Sequence, residues 1–496
     1  MRKAVSAIFI SIVWLGHLAF AGWSPPVRIS ERGIFDGIDG GIYSGKVYFV
    51  LDMTQPSDWI WYQESTDFGQ TWSNPMVLPD TYQTIASNRA SIARYGNWLF
   101  TAWHNVDNQG PDQYNIAFRR SSNLGNTWNS PAKVLAHDLS EIGYWDIGAL
   151  GNRPYVIIGQ YINNIMTCQT CLANSFGQIW GGPRDIFTCD HISKLHTVAT
   201  GNIIHLLWNG AWQDGHDYGI FYSRSTDNGL TWSANFDLRP PDSSFGEWSN
   251  ISVNERGDLV ACWMDYRFAP PLSFTGDIFY RISSDSGMPW QDEVQITDLH
   301  TSMAPDVAWQ ESTMAIAYMD YRDSWYSDEI YLRKSTDNGE NWLPEERMTN
   351  DSLGSESPKI LAQNGTLYLF WSSLDQVGWD TSEYSGIFFK RFDPEPDKIN
   401  EDNNGLPSKI DLASYPNPFN DGTTISLSLA KGGETRLEIY DVTGKLIKRI
   451  LKGGYLQKGT YKYAWDATDA SGKKVSSGIY FARALNNNNS SLLSGL

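Results

Sequence analysis

Two five-residue words carry the densest chemistry in this chain, Trp263-Met-Asp-Tyr-Arg267 and Tyr318-Met-Asp-Tyr-Arg322. Each sets a carboxylate, a phenol and a guanidinium side by side at the exit of an apolar run. Such a set could move a proton, hold an anion, or brace its own loop through an Asp to Arg pair. Further titratable residues that could join them are Arg89, His104, Asp146, His196, Glu247, Asp306 and Glu356, with Asp36 and Asp39 near the start. No cofactor is expected, because no cofactor motif occurs. Cys168-Gln-Thr-Cys171 lacks the second ligand pair that a zinc site needs, so no metal is expected either.

The elements that must position these residues are repeats. Ser65-Thr-Asp-Phe-Gly-Gln-Thr-Trp72 recurs, at intervals of roughly fifty residues, as Ser121 to Trp128, Ser225 to Trp232, Ser283 to Trp290 and Ser335 to Trp342, with a worn copy from Ala173 to Trp180. In such a box Asp or Asn bonds the backbone of its own turn, Gly takes the φ > 0 position, and Trp packs beside it. Each copy comes after an aromatic, alternating strand such as Gly219 to Arg224, so a unit reads as inner strand, apolar second strand, aromatic third strand, box and fourth strand. After the sixth box a further unit (Pro358–Leu361, Leu367–Trp371, Gly386–Lys390) has no fourth strand of its own, while Gly22 to Ser30 matches the fourth-strand segment that each box leads into. The N-terminal segment is therefore predicted to complete the last blade and close a seven-bladed β-propeller, with six blades as the alternative.

The pattern S-x-D-x-G-x-T-W resembles the Asp box (BNR repeat) of the sialidase superfamily, and its copies cover most of residues 22–392. The box turns of a four-stranded meander lie on one face of the ring. The resemblance places a pocket on the other face, built from blade-to-blade connections and the links between second and third strands. A sialidase of this kind clamps its substrate carboxylate with three arginines, attacks with a tyrosine activated by a glutamate, and uses an aspartate as acid/base. A neutral phenol suits an anionic sugar that would repel a carboxylate. The resemblance thus assigns Arg89, Arg267 and Arg322 to the clamp, Tyr266 or Tyr321 with Glu247 to the nucleophile pair, and Asp36 or Asp39 to the acid, with Asp265 and Asp320 completing their words. The sequence departs from the family at its first arginine, which belongs on an inner strand in a Phe-Arg-Ile-Pro word. The nearest match, Val27-Arg-Ile-Ser30, aligns with outer strands. Three readings stay open: a propeller that binds glycans or other surface ligands, an exo-α-sialidase or other glycoside hydrolase, and a purely structural surface protein.

Residues 1–21 read as a secretory signal, with Arg2 and Lys3, an apolar run and Ala19-Phe-Ala21, which predicts a secreted or cell-surface protein with no membrane span in the mature chain. The propeller is expected over 22–392, a linker over 393–408 and a small immunoglobulin-like β-sandwich over 409–496. The tail words Tyr415-Pro-Asn-Pro-Phe-Asn420, Arg436 to Val442, Trp465-Asp466 and Ser477 to Phe481 resemble the C-terminal sorting domain of type IX secretion substrates, which implies that secretion machinery as a partner. Such domains usually finish with a strand containing lysines, and this chain stops at Ala484 to Leu496 without them. The net charge of -18 is uneven: from Pro407 onward 12 basic residues face 7 acidic ones, leaving -23 for the rest, a body unsuited to nucleic acid. A glycan or glycoprotein ligand is expected instead. Seven of the 22 tryptophans take the packing position, one per blade, while Trp145, Trp212, Trp248, Trp325 and Trp379 remain as ligand candidates. If any disulfide forms, Cys168 with Cys189 is the expected pair.

Overall fold

The computed structural model describes residues 22–495 apart from 31–33, 56–58, 80–83, 108–113, 136–141, 213–217, 241–244, 271–272, 324–327, 352–353, 376–383, 394–410, 416–421, 430–431, 443, 458, 477 and 487–489. The expected signal segment over 1–21 and most of the expected linker lie outside the described residues. Among those described, structure is almost wholly strand, with one 3-10 turn at Ser175–Gly177. The chain divides into two compact units, the second beginning at Asp397.

The first unit contains seven antiparallel sheets, blades I to VII, whose inner strands are Ile34–Tyr43, Thr84–Tyr95, Ile142–Leu150, His191–Thr200, Gly246–Val253, Ser302–Gln310 and Ser355–Gln363. Each inner strand lies against the next, and the last lies against the first, so the blades form a closed ring. Seven apolar clusters sit one at each blade interface; the one joining blades VII and I brings Val47, Phe49 and Leu51 onto Tyr368, Phe370 and Phe389. Second strands are apolar on both sides because neighbouring blades cover both faces: all of Leu259–Asp265 is buried. Ring closure takes the predicted route, with Gly22 and Trp23 pairing with Asp393 and Phe392, and Val27 and Arg28 with Phe389 and Phe388. Val27–Arg28 is thus an outer strand, and Arg28 donates to Ser30 O at 3.0 Å instead of facing the ring's centre.

The box turns explain their own sequence. In blade I Gly69 N donates to Ser65 Oγ at 2.7 Å, while Thr71 N and Thr71 Oγ1 donate to Asp67 at 2.8 and 2.6 Å. The glycine has φ +86°, and the residue before it, Phe68, is also left-handed at φ 60°. Glycine is needed twice over, because a Cβ on Gly125 would stand 1.9 Å from the Tyr62 hydroxyl of the preceding blade. The box tryptophans seal that same interface: Trp128 packs on Tyr62, Trp180 on Phe118, Trp290 on Tyr222 and Trp342 on Tyr280. Asp67, Asp227 and Asp337 are therefore scaffold.

The four cysteines are buried thiols with no disulfide among them. Cys189 pairs in register with Met166, and Cys168 with Phe187, so the expected partners stand diagonally on the hairpin. In the second unit Asp411–Tyr415, Thr423–Leu429 and Gly459–Trp465 form one sheet, and Gly433–Asp441, Leu446–Leu451, Tyr480–Asn486 and Ser490–Gly495 build the other, over a core with Ile425, Leu427, Leu437, Ile439 and Trp465. The chain does supply a last strand there, although it carries no lysine.

Candidate functional site

Arg267 and Arg322 are the first residues to test. Arg267 donates to both Asp265 oxygens, at 3.0 and 2.7 Å, and to both oxygens of Glu293 on the approach to the outer strand of its own blade, one of them at 3.0 Å. Its guanidinium carbon lies 4.3 Å from the Phe279 ring centre. Arg322 repeats this with Asp320, Glu345 and the Tyr331 ring at 4.1 Å. One cation between two carboxylates leaves a net negative cluster, which repels an anionic ligand. The structure thus corrects the clamp: both arginines are loop braces, and only Arg89 of the expected three stays near the ring's interior. Asp265 and Asp320 have fully buried side chains. Burial pushes the Asp320 carboxyl up, but bonds from Arg322 and Ser302 outweigh it and hold the group below its usual range, so it is no proton donor.

Arg89 sits on an inner-strand bulge at φ 53°, its guanidinium donating to Gly143 O and lying 5.2 Å from the Tyr144 ring centre. Tyr266 and Glu247 do meet: the phenol donates to Glu247 Oε2 at 3.3 Å, and burial raises the pKa of both groups. Tyr321 packs at the interface of blades VI and VII, raised to about 12 by burial and by the charges of Asp328 and Glu356. Asp328, missed in the sequence, is itself raised to about 7 by burial and Glu356. His104 is held below its usual value by burial and Arg89. The Asp36 side chain lies outside the described ones. Of the tryptophan candidates, Trp145 is core, Trp212 packs on Phe187, Trp208 and Phe221, and Trp325 and Trp379 lie outside the described residues. Trp248 is exposed, with Lys194 Nζ 5.3 Å from its ring centre.

The fold brings together a ring of polar side chains, one from the same level of each inner strand: Asp39, Ser91, Asp146, His196, Asn250, Asp306 and Lys359. Ser91 Oγ is 2.8 Å from Asp39 Oδ2 and 2.6 Å from Asp146 Oδ1. Asp146 Oδ2 accepts from Thr197 N at 2.9 Å and lies 3.8 Å from His196 Nδ1. Asn250 donates to Asp306, which also accepts from Ile360 N at 2.7 Å. Lys359 Nζ stands 3.6 Å from Asp306 and 3.4 Å from Asp39, joining the last blade to the first.

The ring has two consequences. Structurally, its carboxylates stitch blades by accepting inner-strand N–H groups of the next blade, as Asp39 does from Ile92 N at 2.9 Å. Chemically, one serine hydroxyl proton cannot serve two carboxylates at once, so one of the two short contacts needs a proton on the acid. Asp146 is the group that holds it, because burial and the Asp39 charge push its pKa to about 7. His196 beside it is held well below its usual value by burial and by Lys194, so its imidazole is neutral, and its Nε2 has no hydrogen-bond partner among the described residues. Asp146, with 14% of its side-chain surface open, can therefore hold a proton at neutral pH beside an imidazole that stays neutral. Ser91, Asn250, Lys359 and Lys194 escaped the sequence reading. A signal existed: Ser91, Asp146 and His196 each stand five residues before the hairpin glycines Gly96, Gly151 and Gly201.

Residues 416–490 match the FlgD Ig-like domain family, within the second unit. No curated protein matches the chain. Among solved structures the chain is similar to a PL25 polysaccharide lyase, an ulvan lyase, at 9% identity, covering 73% of this chain and 95% of that one with a TM-score of 0.52. It is also similar to polysaccharide lyase Uly1 (9% identity, 75% of this chain and 100% of that one, TM-score 0.49) and to the phage phi92 endosialidase (11%, 96% and 87%, 0.45). At 9% identity the likeness to the ulvan lyase is one of fold alone.

Proposed function

We propose that this is an exported or cell-surface propeller that binds glycans across blades IV and V, on the face opposite the box turns. The observation that carries the reading is an aromatic run there. His191 and Tyr218 have ring centres 5.9 Å apart, Tyr218 and Phe245 4.7 Å, and Phe245 and Tyr266 5.6 Å. Exposed Trp248, Phe268 and Phe274 lie on strands and links of the same blade as Tyr266. Aromatic faces beside a few polar groups such as Glu247 and Lys194 suit a sugar, which has both hydroxyls and a C–H face. The ulvan lyase, whose structure was solved bound to -[GlcA(1-4)Rha3S]-, supports glycan as the ligand class through the shared fold. Export rests on the N-terminal segment 1–21 and on the tail's resemblance to sorting domains, with the type IX machinery as its partner.

Retention of the full chain on gels cast with polysaccharides tests the binding. Trp248→Ala should weaken it about tenfold, the loss expected for one stacked ring, with unchanged melting. Equal retention of the two proteins overturns the reading. The Tyr266 to Glu247 contact favours glycoside hydrolysis as a second reading. Turnover of aryl glycosides, abolished in Tyr266→Phe, would establish it; a sialoside is the less suited substrate, since the arginine clamp is not formed.

A further inference from the structure

The worn repeat is where the turn face departs from its own rule. Ala173 replaces the serine whose Oγ accepts from the glycine N–H in the five other boxes, and Ile179 stands at the threonine position, so that serine bond cannot form. Asn174 Oδ1 instead accepts from Gln178 N and Ile179 N, each at 2.9 Å, and Ala173 bridges to Trp180 ahead of Gly181 and Gly182. Between this turn and the box of blade IV a cleft of about 430 Å³ opens, lined among others by Arg153, Thr170, Ile179, Trp180, Arg184 and Leu230.

Several of its polar groups carry unused hydrogen-bonding capacity among the described residues. Arg153 uses only Nε, donating to Ala173 O at 3.1 Å, and neither Arg153 nor exposed Arg184 joins an ion pair among the described residues. Elsewhere on this acidic propeller Arg239, Arg267, Arg322, Arg347 and Arg391 each face a carboxylate. Thr170 is only 2% exposed, yet its Oγ1 has no partner among the described residues. A buried donor without a partner is costly unless a ligand serves it. Ile179 and Leu230, 69% and 59% exposed, form apolar lips.

We propose that this cleft is a second binding site, which takes an acidic sugar of the hexuronate class: its carboxylate between Arg153 and Arg184, its C–H face on Trp180, and a hydroxyl on Thr170. A carboxylate with two guanidiniums forms charge-assisted bonds, and a pyranose ring supplies the hydroxyls and apolar face that the rest of the cleft matches. An acidic peptide would engage the arginines, but it lacks the pyranose C–H face that Trp180 takes. The site lies on the box-turn face, away from the aromatic run, so the two assignments can fail separately.

Saturation-transfer NMR titration of the full chain with methyl β-glucuronide, its methyl ester and methyl β-glucoside tests it. The glucuronide should bind about tenfold more tightly than either neutral compound, the worth of one charge-assisted bond. Arg184→Gln should erase that preference and Thr170→Val weaken the glucuronide without changing melting, while Trp248→Ala leaves its affinity as it was. The proposal is overturned by equal binding of the three compounds, or by a preference that survives Arg184→Gln. It is equally overturned by a preference lost in Trp248→Ala, which would move the acid to the aromatic run, or by capture of an acidic peptide in place of the sugar.

Discussion

Replacing Arg322 with Met removes the cation from between Asp320 and Glu345 while keeping much of the side chain's length over the Tyr331 ring. Asp320 has no exposed side-chain surface, and losing its partner leaves a buried charge held, among the described residues, by Ser302 Oγ at 2.7 Å, Thr301 Oγ1 at 2.9 Å and the residue 322 backbone N–H at 2.9 Å. Breaking a buried pair typically costs about 3–5 kcal/mol. The lower figure applies here, because those donors remain and because Arg322 and Glu345 are 21% and 24% exposed. For a propeller over residues 22–393, with an unfolding entropy near 2 cal/mol/K per residue, about 3 kcal/mol lowers the melting temperature by roughly 4 °C. The sign of the pKa shift sets the pH dependence. Asp320 is held below its usual range in the native protein, so its stabilisation is present above the unfolded pKa and lost as pH falls through the folded one. The variant's deficit is thus full at neutral pH and shrinks in acid, where its Asp320 is protonated. Calorimetry at pH 7 and pH 4 reads both effects, and adding Asp320→Leu should recover part of the loss by removing the stranded charge. A variant that melts like the parent but no longer binds an acidic ligand would refute the brace and restore the clamp.

Gly125→Ala should cost at least about 2 kcal/mol, because a Cβ there meets Tyr62 as well as an unfavourable φ, whereas Gly96→Ala, strained at φ +56° but with open space around it, should cost about 1 kcal/mol; urea titration separates them, and equal midpoints would contradict the interface argument. The Asp146 carboxyl, raised to about 7, holds a proton that the unfolded chain releases near pH 4, so its contribution to stability falls as pH rises between these values. Asp146→Asn should therefore gain in melting temperature relative to the parent between pH 5 and pH 8, and parallel curves would show that the group is ionised throughout. Deleting residues 22–30 strips the partner from Tyr384–Asp393 and exposes a strand edge, so light scattering of the purified variant should report association; a monodisperse, fully stable variant would mean that the seventh blade needs no outer strand.

The two Asp-Tyr-Arg words show where residue types mislead. Their spacing offered both an anion clamp and a loop brace, and the choice depended on Glu293 and Glu345, which lie 26 and 23 residues further along. Only the fold of each blade sets the outer strand beside the exit of the second. Tyr266 with Glu247 was legible because the link leaving a second strand returns beside the start of its own inner strand. The polar ring was half legible. Asp39, Asp146, His196 and Asp306 stood out as polar residues on the right face, but Ser91, Asn250 and Lys359 look like ordinary surface residues until seven strands are set at one level.

The repeat, the turn chemistry, the blade count and the closing strand were all readable along the chain, because they rest on local rules: a left-handed glycine, a serine and an acid bonding their own turn, and a hydrophobic period of two. Which charges meet is a matter of tertiary structure. Asp39 and Lys359 are 320 residues apart in sequence and 3.4 Å apart in space. No local pattern encodes that contact; it exists because the last blade closes on the first, just as the packing of the first three blades brings Asp39 close enough to Asp146 for that carboxyl to keep its proton.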